Sequence, residues 1–215
     1  MTSYYWGEFD SSVIFCEDKY AESEYIAEYW NTISGIPYIL LGIYFMHLGT
    51  FDLGFCLYLL GVGTVILHTT LRWYGQWMDE ISMLILMFTY LVNVFPISYN
   101  VLNLILIGYV WLNEYHAYLV IVFIGLTLVQ YKAVKMIVQE HSRWYYKWYL
   151  NVMLAALCCW ILDRLCFQKV INFHVWWHIL STIGAYFGTM IYTTYRIRFE
   201  YARVYLTPLT ILKHG

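Results

Sequence analysis

The chain has 215 residues, of which 61% are hydrophobic, 21% aromatic and only 12% charged, with a formal net charge of −2. Too few charges remain to solvate a water-soluble domain of this size, and the slightly acidic balance excludes a basic nucleic-acid face. Composition therefore points to a membrane protein.

The start, MTSYYWGEFDSS, is acidic and aromatic, without a basic stretch leading into an apolar run, so it does not read as a cleavable signal peptide. Residues 1–24 are expected to form a head at the membrane interface, and residues 25–215 a single helical domain. A hydrocarbon core of roughly 30 Å, crossed at about 1.5 Å per residue, takes about 20 apolar residues per span. Apolar windows predict spans near Tyr25–Leu48, Leu53–Arg72, Gln76–Phe95, Pro96–Leu112, Tyr115–Val138, Tyr145–Leu162 and His174–Tyr195. The expected fold is thus all-α, a seven-helix multi-pass bundle with short joins that force consecutive helices antiparallel.

The fourth span is short, begins at Pro96 and carries Asn100 and Asn103, which suits a tilted or irregular segment. Gly184 and Gly188 form a GxxxG in the last span, a helix-packing signal. Basic residues set the orientation. Lys19, Arg72, Arg164 and Lys169 fall on one side, and Lys132, Lys135, Arg143, Lys147, Arg196, Arg198, Arg203 and Lys213 on the other. By the positive-inside rule the N-terminus is outside and the C-terminus inside. Five cysteines show no CxxC spacing, and their odd number precludes complete pairing; Cys56, Cys158 and Cys159 fall within spans and read as buried small apolar residues.

Ionisable groups inside a membrane are costly, so each is a candidate for function. His68 near the end of span two, Asp79 near the start of span three, and His174 with His178 at the start of span seven all fall at one membrane face in this topology. Residues four apart share a helical face, so His174 and His178 can aim at one cation while His68 adds a third imidazole. Three imidazoles with an open fourth position are the donor set of a catalytic zinc. Haem fits poorly, because two histidines one turn apart cannot clamp opposite faces of a macrocycle. Asp79 is a fourth ligand, an outer partner orienting an imidazole, or a base for water; Thr64, one turn before His68, offers a hydroxyl to an oxyanion or to water.

WGEFDSSVIFCEDKYAESEYIAEYWNTIS, HTTLRWYGQWMDEISM and FHVWWHIL resemble the alkaline ceramidase family, grouped with the adiponectin-receptor-like seven-helix membrane hydrolases. The resemblance implies a zinc-dependent amidase that cleaves ceramide to a sphingoid base and a fatty acid. The family's zinc histidines match His68, His174 and His178, its catalytic aspartate Asp79, and its active-site serine Thr64. That exchange keeps the hydroxyl, adds a methyl and stiffens χ1. Relatives bind calcium in the head; here Phe15 offers a carbonyl and Glu17 and Glu28 remain, but Ile14 and Lys19 replace an aspartate and an asparagine. Calcium takes six to eight oxygens. The expectation is that the Lys19 ammonium takes the ion's role, pairing Glu17 and Glu28, the alternative being a site rebuilt from Asp18, Glu22 and Glu24.

The same resemblance implies a disulfide between Cys16 and Cys166, and residence in the endoplasmic reticulum or Golgi with the N-terminus lumenal and the C-terminus cytosolic. The implied partner is a ceramide lipid; neither nucleic acid nor an obligate protein partner is expected. Alternatives are a receptor of the adiponectin-receptor type, with structural or weakly hydrolytic zinc, and a hydrolase of another lipid linkage.

Overall fold

In the computed structural model the described backbone comprises residues 4–13, 15–112, 116–138, 140–166 and 172–211, with side chains over the same ranges except residues 116, 117, 141 and 199–211. Ile14, Lys169 and Lys213, and the side chain of Arg203, lie outside this set. The described residues form seven α-helices: α1 (Tyr29–His47), α2 (Phe51–Thr70), α3 (Trp73–Val92), α4 (Tyr99–Leu112), α5 (His116–Ile137), α6 (Arg143–Arg164) and α7 (Phe173–Ile211). A 3₁₀ turn at Glu140–Ser142 leads into α6. The all-α expectation holds.

Several boundaries depart from the apolar windows, and α3 lies three residues earlier than its window at both ends. α1 starts at Tyr29 rather than Tyr25, because the chain before it is extended and bonded to the end of α2: Ala27 N–H donates to the Thr69 carbonyl (3.0 Å) and Glu28 N–H to that of His68 (2.9 Å). The head therefore runs to Glu28. α4 starts three residues after Pro96, and α7 continues well past Tyr195 to Ile211; hydropathy marks where lipid ends, not where helical hydrogen bonding ends.

Tight joins hold α1, α2 and α3 as consecutive hairpins. Gly49 turns between α1 and α2 at φ +87, a conformation that costs glycine little. Leu71 turns between α2 and α3 in the left-handed region at φ 50, and its burial and its carbonyl, which accepts from the N–H groups of Asp10 and Ser11, hold it there. Gly63 lets α3 approach: a Cβ there would lie 2.6 Å from the backbone nitrogen of Asp79. The expected GxxxG packing is present, with a Cβ at Gly184 meeting Met153 and one at Gly188 meeting Tyr149, both on α6.

The largest buried cluster joins Tyr38, Phe45, Leu57, Tyr90, Tyr149 and Tyr192 from five helices. Outward faces are apolar too, as at Leu40, Leu104, Trp111, Ile121 and Leu154. Such a surface suits lipid rather than water. Phe51–Thr70 and Tyr118–Ile137 are, by length and composition, helices able to cross a bilayer. Cys56 is buried as expected, but Cys158 is exposed on α6, where an apolar outer face costs nothing in lipid.

The head covers the end of the bundle where α2 and α7 carry their histidines. Asp10 Oδ1 accepts from the Trp73 N–H (2.7 Å), capping α3, and Arg72 pairs with Asp10 Oδ2 at 2.8 Å. Val13 and Phe15 bury against Leu67. Cys16 and Cys166 are joined by a disulfide that ties the head to the end of α6.

Candidate metal centre and lipid cavity

Helix periodicity puts His174 and His178 on one face of α7, and the α2–α3 turn brings His68 against them. The three imidazoles are buried, with one ligand atom from each within 4.8 Å of the others and ring centroids 4.5 to 5.0 Å apart. Among the described residues this is the one group of histidine, cysteine or carboxylate side chains with metal-ligand spacing. Asp79 does not belong to it, and Asp18, Glu22 and Glu24 form no second one.

Outer partners fix which nitrogen is available in two of the three rings. His68 Nδ1 lies 2.5 Å from Glu28 Oε2. A carboxylate only accepts, so Nδ1 carries the proton and Nε2 keeps its lone pair. His178 Nδ1 lies 2.7 Å from Ser34 Oγ, whose own hydroxyl donates to the Asn31 carbonyl (2.9 Å). Ser34 therefore accepts from Nδ1–H, which again leaves Nε2 as the donor. His174 Nδ1 is buried without a hydrogen-bond partner, 3.6 Å from Asp163 Oδ2. Three neutral imidazoles, two of them held by outer groups on Nδ1, form a donor set that fits a divalent metal of the zinc type.

Glu28 connects this centre to the head. It is fully buried and receives the Lys19 ammonium on Oε1 and the Asn31 amide on Oε2 (3.2 Å) besides His68. Burial alone would raise its carboxyl, but the hydrogen bond from His68 and the charge and hydrogen bond of Lys19 outweigh it, holding the group below the ordinary value. Lys19 also donates to the carbonyls of Phe15 and Glu17, each at 2.8 Å. The expected pairing with Glu17 needs correction: Lys19 meets its carbonyl, not its carboxylate. That carboxylate instead accepts from the N–H groups of Trp30 (2.7 Å) and Asn31 (2.9 Å) and from the Asn172 amide (2.9 Å). The unsatisfied N–H groups and positive end of α1 draw it there.

Beside the histidines Thr64 Oγ1 donates to Asp79 Oδ1 at 2.5 Å. Thr64 accommodates its additional methyl because Gly35 faces it: a Cβ at Gly35 would lie 2.9 Å from Thr64 Cγ2. Thr64, Asp79, His174 and His178 line the polar end of a cavity of about 360 Å³, joined there by Glu80 and Arg164. Leu60, Met83, Phe123 and Leu157 are among its apolar walls. A second hollow of about 70 Å³ shares Tyr38, Leu60, Met83, Phe123 and Trp177 with it and runs on to Thr127 and Gln130. Phe15 packs at a tilt against His68 and His174, with centroids 4.7 and 4.1 Å away, on the head side.

Sequence reasoning missed Ser34, Asp163, Glu80 and the bond from Glu28 to His68. A signal was present for three of them. Glu28, Asn31, Ser34 and Tyr38 recur at three- and four-residue spacing in an apolar stretch, the pattern of a polar face turned inward. Glu80 is a second carboxylate in the same helix as Asp79.

Fold and site together define an apolar-faced helical protein whose buried three-histidine group, able to hold a metal, adjoins an apolar-walled cavity. A ceramidase family model matches residues 7–207, and the chain belongs to the ceramidase family. It is 26% identical over 212 residues to an alkaline ceramidase of Arabidopsis thaliana, covering 86% of this chain and 83% of that one. To alkaline ceramidase 3 of Mus musculus it is 25% identical over 229 residues, covering 85% and 82%. A shorter match, 36% over 87 residues, covering 37% and 28%, relates it to an alkaline ceramidase of Saccharomyces cerevisiae.

Proposed function

We propose that this protein is a seven-span membrane amidase that hydrolyses ceramide, with zinc held by His68, His174 and His178. The observation that carries the reading is the three-imidazole group beside the Thr64–Asp79 pair at the polar end of an apolar cavity. When bound there, zinc supplies Lewis acidity toward the amide carbonyl and lowers the pKa of a water it holds.

The chain's own residues do the rest. Glu28 and Ser34 keep the Nδ1 protons of His68 and His178 in place, so both rings present Nε2. Thr64 holds one oxygen of Asp79 and thereby aims the other. Asp79 takes a proton from the attacking water and delivers it to the departing nitrogen; a C–O bond forms, the C–N bond breaks, and the products are a fatty acid and an amine. The apolar walls take aliphatic chain, and Phe15 shields the reacting end from water. The positive-inside bias supports an N-terminus on the lumenal side and a C-terminus in the cytosol, and the family resemblance supports residence in the endoplasmic reticulum or Golgi. In the head, the Lys19 ammonium stands where calcium would.

The test is metal analysis together with turnover of ceramide and of an ester-linked lipid, for the native chain and His178→Ala. Expected are about one zinc per chain, cleavage of the amide, and loss of both in the variant. A variant that keeps its zinc and its turnover would overturn the assignment. A zinc-loaded native chain inert toward both lipids would point to a receptor, and one that cleaves only the ester to a different linkage.

A further inference from the structure

Glu80 is a second carboxylate at the reacting end of the cavity, and the proton transfer above makes no use of it. It follows Asp79 on α3, is only 5% exposed, and lines the same cavity end. Its orientation is fixed from two sides. Oε2 accepts from the Tyr109 hydroxyl of α4 at 2.6 Å, and Oε1 from the Gln76 amide one turn earlier at 3.0 Å. Gln76 is anchored to the head, accepting from the Ser12 N–H and donating to the Ser12 hydroxyl, both at 2.7 Å.

Both fixed partners are neutral donors. Each carboxylate oxygen accepts about two hydrogen bonds, and each here has one such partner. The Arg164 guanidinium lines the same cavity and supplies a countercharge to this carboxylate, which keeps it an acceptor with capacity left over facing the cavity. That capacity suits a hydroxyl donor.

We propose that Glu80 is a specificity residue that accepts a hydrogen bond from a headgroup hydroxyl of the lipid. The assignment rests on the reading of the substrate as ceramide. In ceramide the carbon bearing the amide nitrogen has a hydroxyl-bearing carbon on each side, so a group that recognises either hydroxyl must sit next to the residue serving the amide. Glu80 holds that position relative to Asp79. A hydroxyl-to-carboxylate bond in a water-poor site is charge-assisted and strong, and a site built for it rejects a lipid lacking the group.

The experiment uses the full-length zinc-loaded protein and Glu80→Gln, with kcat/KM measured on ceramide and on its 1-deoxy and 3-deoxy analogues. The native chain is expected to lose roughly tenfold to a hundredfold on one of the two analogues relative to ceramide. Glu80→Gln is expected to lose a similar factor on ceramide and to equal the native chain on that analogue, with unchanged zinc content. Equal losses in the variant on all three lipids, or no loss on ceramide, would overturn the proposal, since a purely structural tie affects every substrate alike. Native protein that discriminates against neither analogue overturns it even if the variant does not fold. If the native chain cleaves none of the three, the ceramidase reading itself fails, and the role of Glu80 with it.

Discussion

Replacing Lys19 probes whether an ammonium group alone holds the head on the bundle. In Lys19→Met, Glu28 remains fully buried with only His68 and Asn31 as donors, and the carbonyls of Phe15 and Glu17 lose a shared partner. Breaking a buried ion pair from one side costs about 3–5 kcal/mol, because the other charge is left uncompensated. Lys19 is one-fifth exposed and Glu28 keeps two donors, so about 2–3 kcal/mol is the working figure here. For a chain of this length that corresponds to a fall in Tm on the order of 5–10 °C. The assay is thermal unfolding in detergent, with a calcium-selective chelator and then with added calcium. The native chain should be indifferent to both treatments. Lys19→Asn, which removes the charge and supplies an oxygen, should fall in chelator and recover in part with calcium. A native chain that lost turnover in chelator and regained it with calcium alone would refute the reasoning, as would a Lys19→Met variant melting within a degree of the native chain.

Gly35→Ala should displace Thr64, since the new methyl would lie 2.9 Å from Cγ2; overpacking of about 1–3 kcal/mol outweighs a helix-propensity gain of about 1 kcal/mol. Turnover should drop about tenfold and recover in part when Thr64→Ser is added, and unchanged turnover in the single variant would count against the packing account. Ser34→Ala leaves His178 Nδ1 without its acceptor and should weaken zinc binding by about 10–100-fold, read by competition with a chelator. Glu28 titrates below its ordinary value in the folded chain, so its contribution to stability is complete above the unfolded pKa of about 4.3. That contribution is lost as pH falls from there through the folded value; Tm against pH should show this acid-side fall in the native chain, and Glu28→Gln should lack it.

Much of the fold was legible because lipid imposes a simple rule: backbone groups must bond within the segment, so long apolar windows become helices. The windows failed where hydropathy and hydrogen bonding part company. Tyr25 to Glu28 are apolar enough for a span, yet Ala27 and Glu28 spend their N–H groups on the carbonyls of Thr69 and His68. α7 runs beyond its apolar stretch because a helix needs no lipid to continue.

The sequence alone determined that His174 and His178 share a helical face, because a spacing of four is a property of the helix itself, and short joins set His68 at the same end of the bundle. Only the tertiary structure decided that Glu28 fixes the proton of His68 and Ser34 that of His178, that Lys19 meets the carbonyl of Glu17 rather than its carboxylate, and that Glu80 faces the cavity beside Asp79. The Glu28–His68 and Ser34–His178 contacts join residues 40 and 144 positions apart. Which side chains meet over such separations depends on how the helices pack and rotate against one another, and periodicity along one helix carries no record of that.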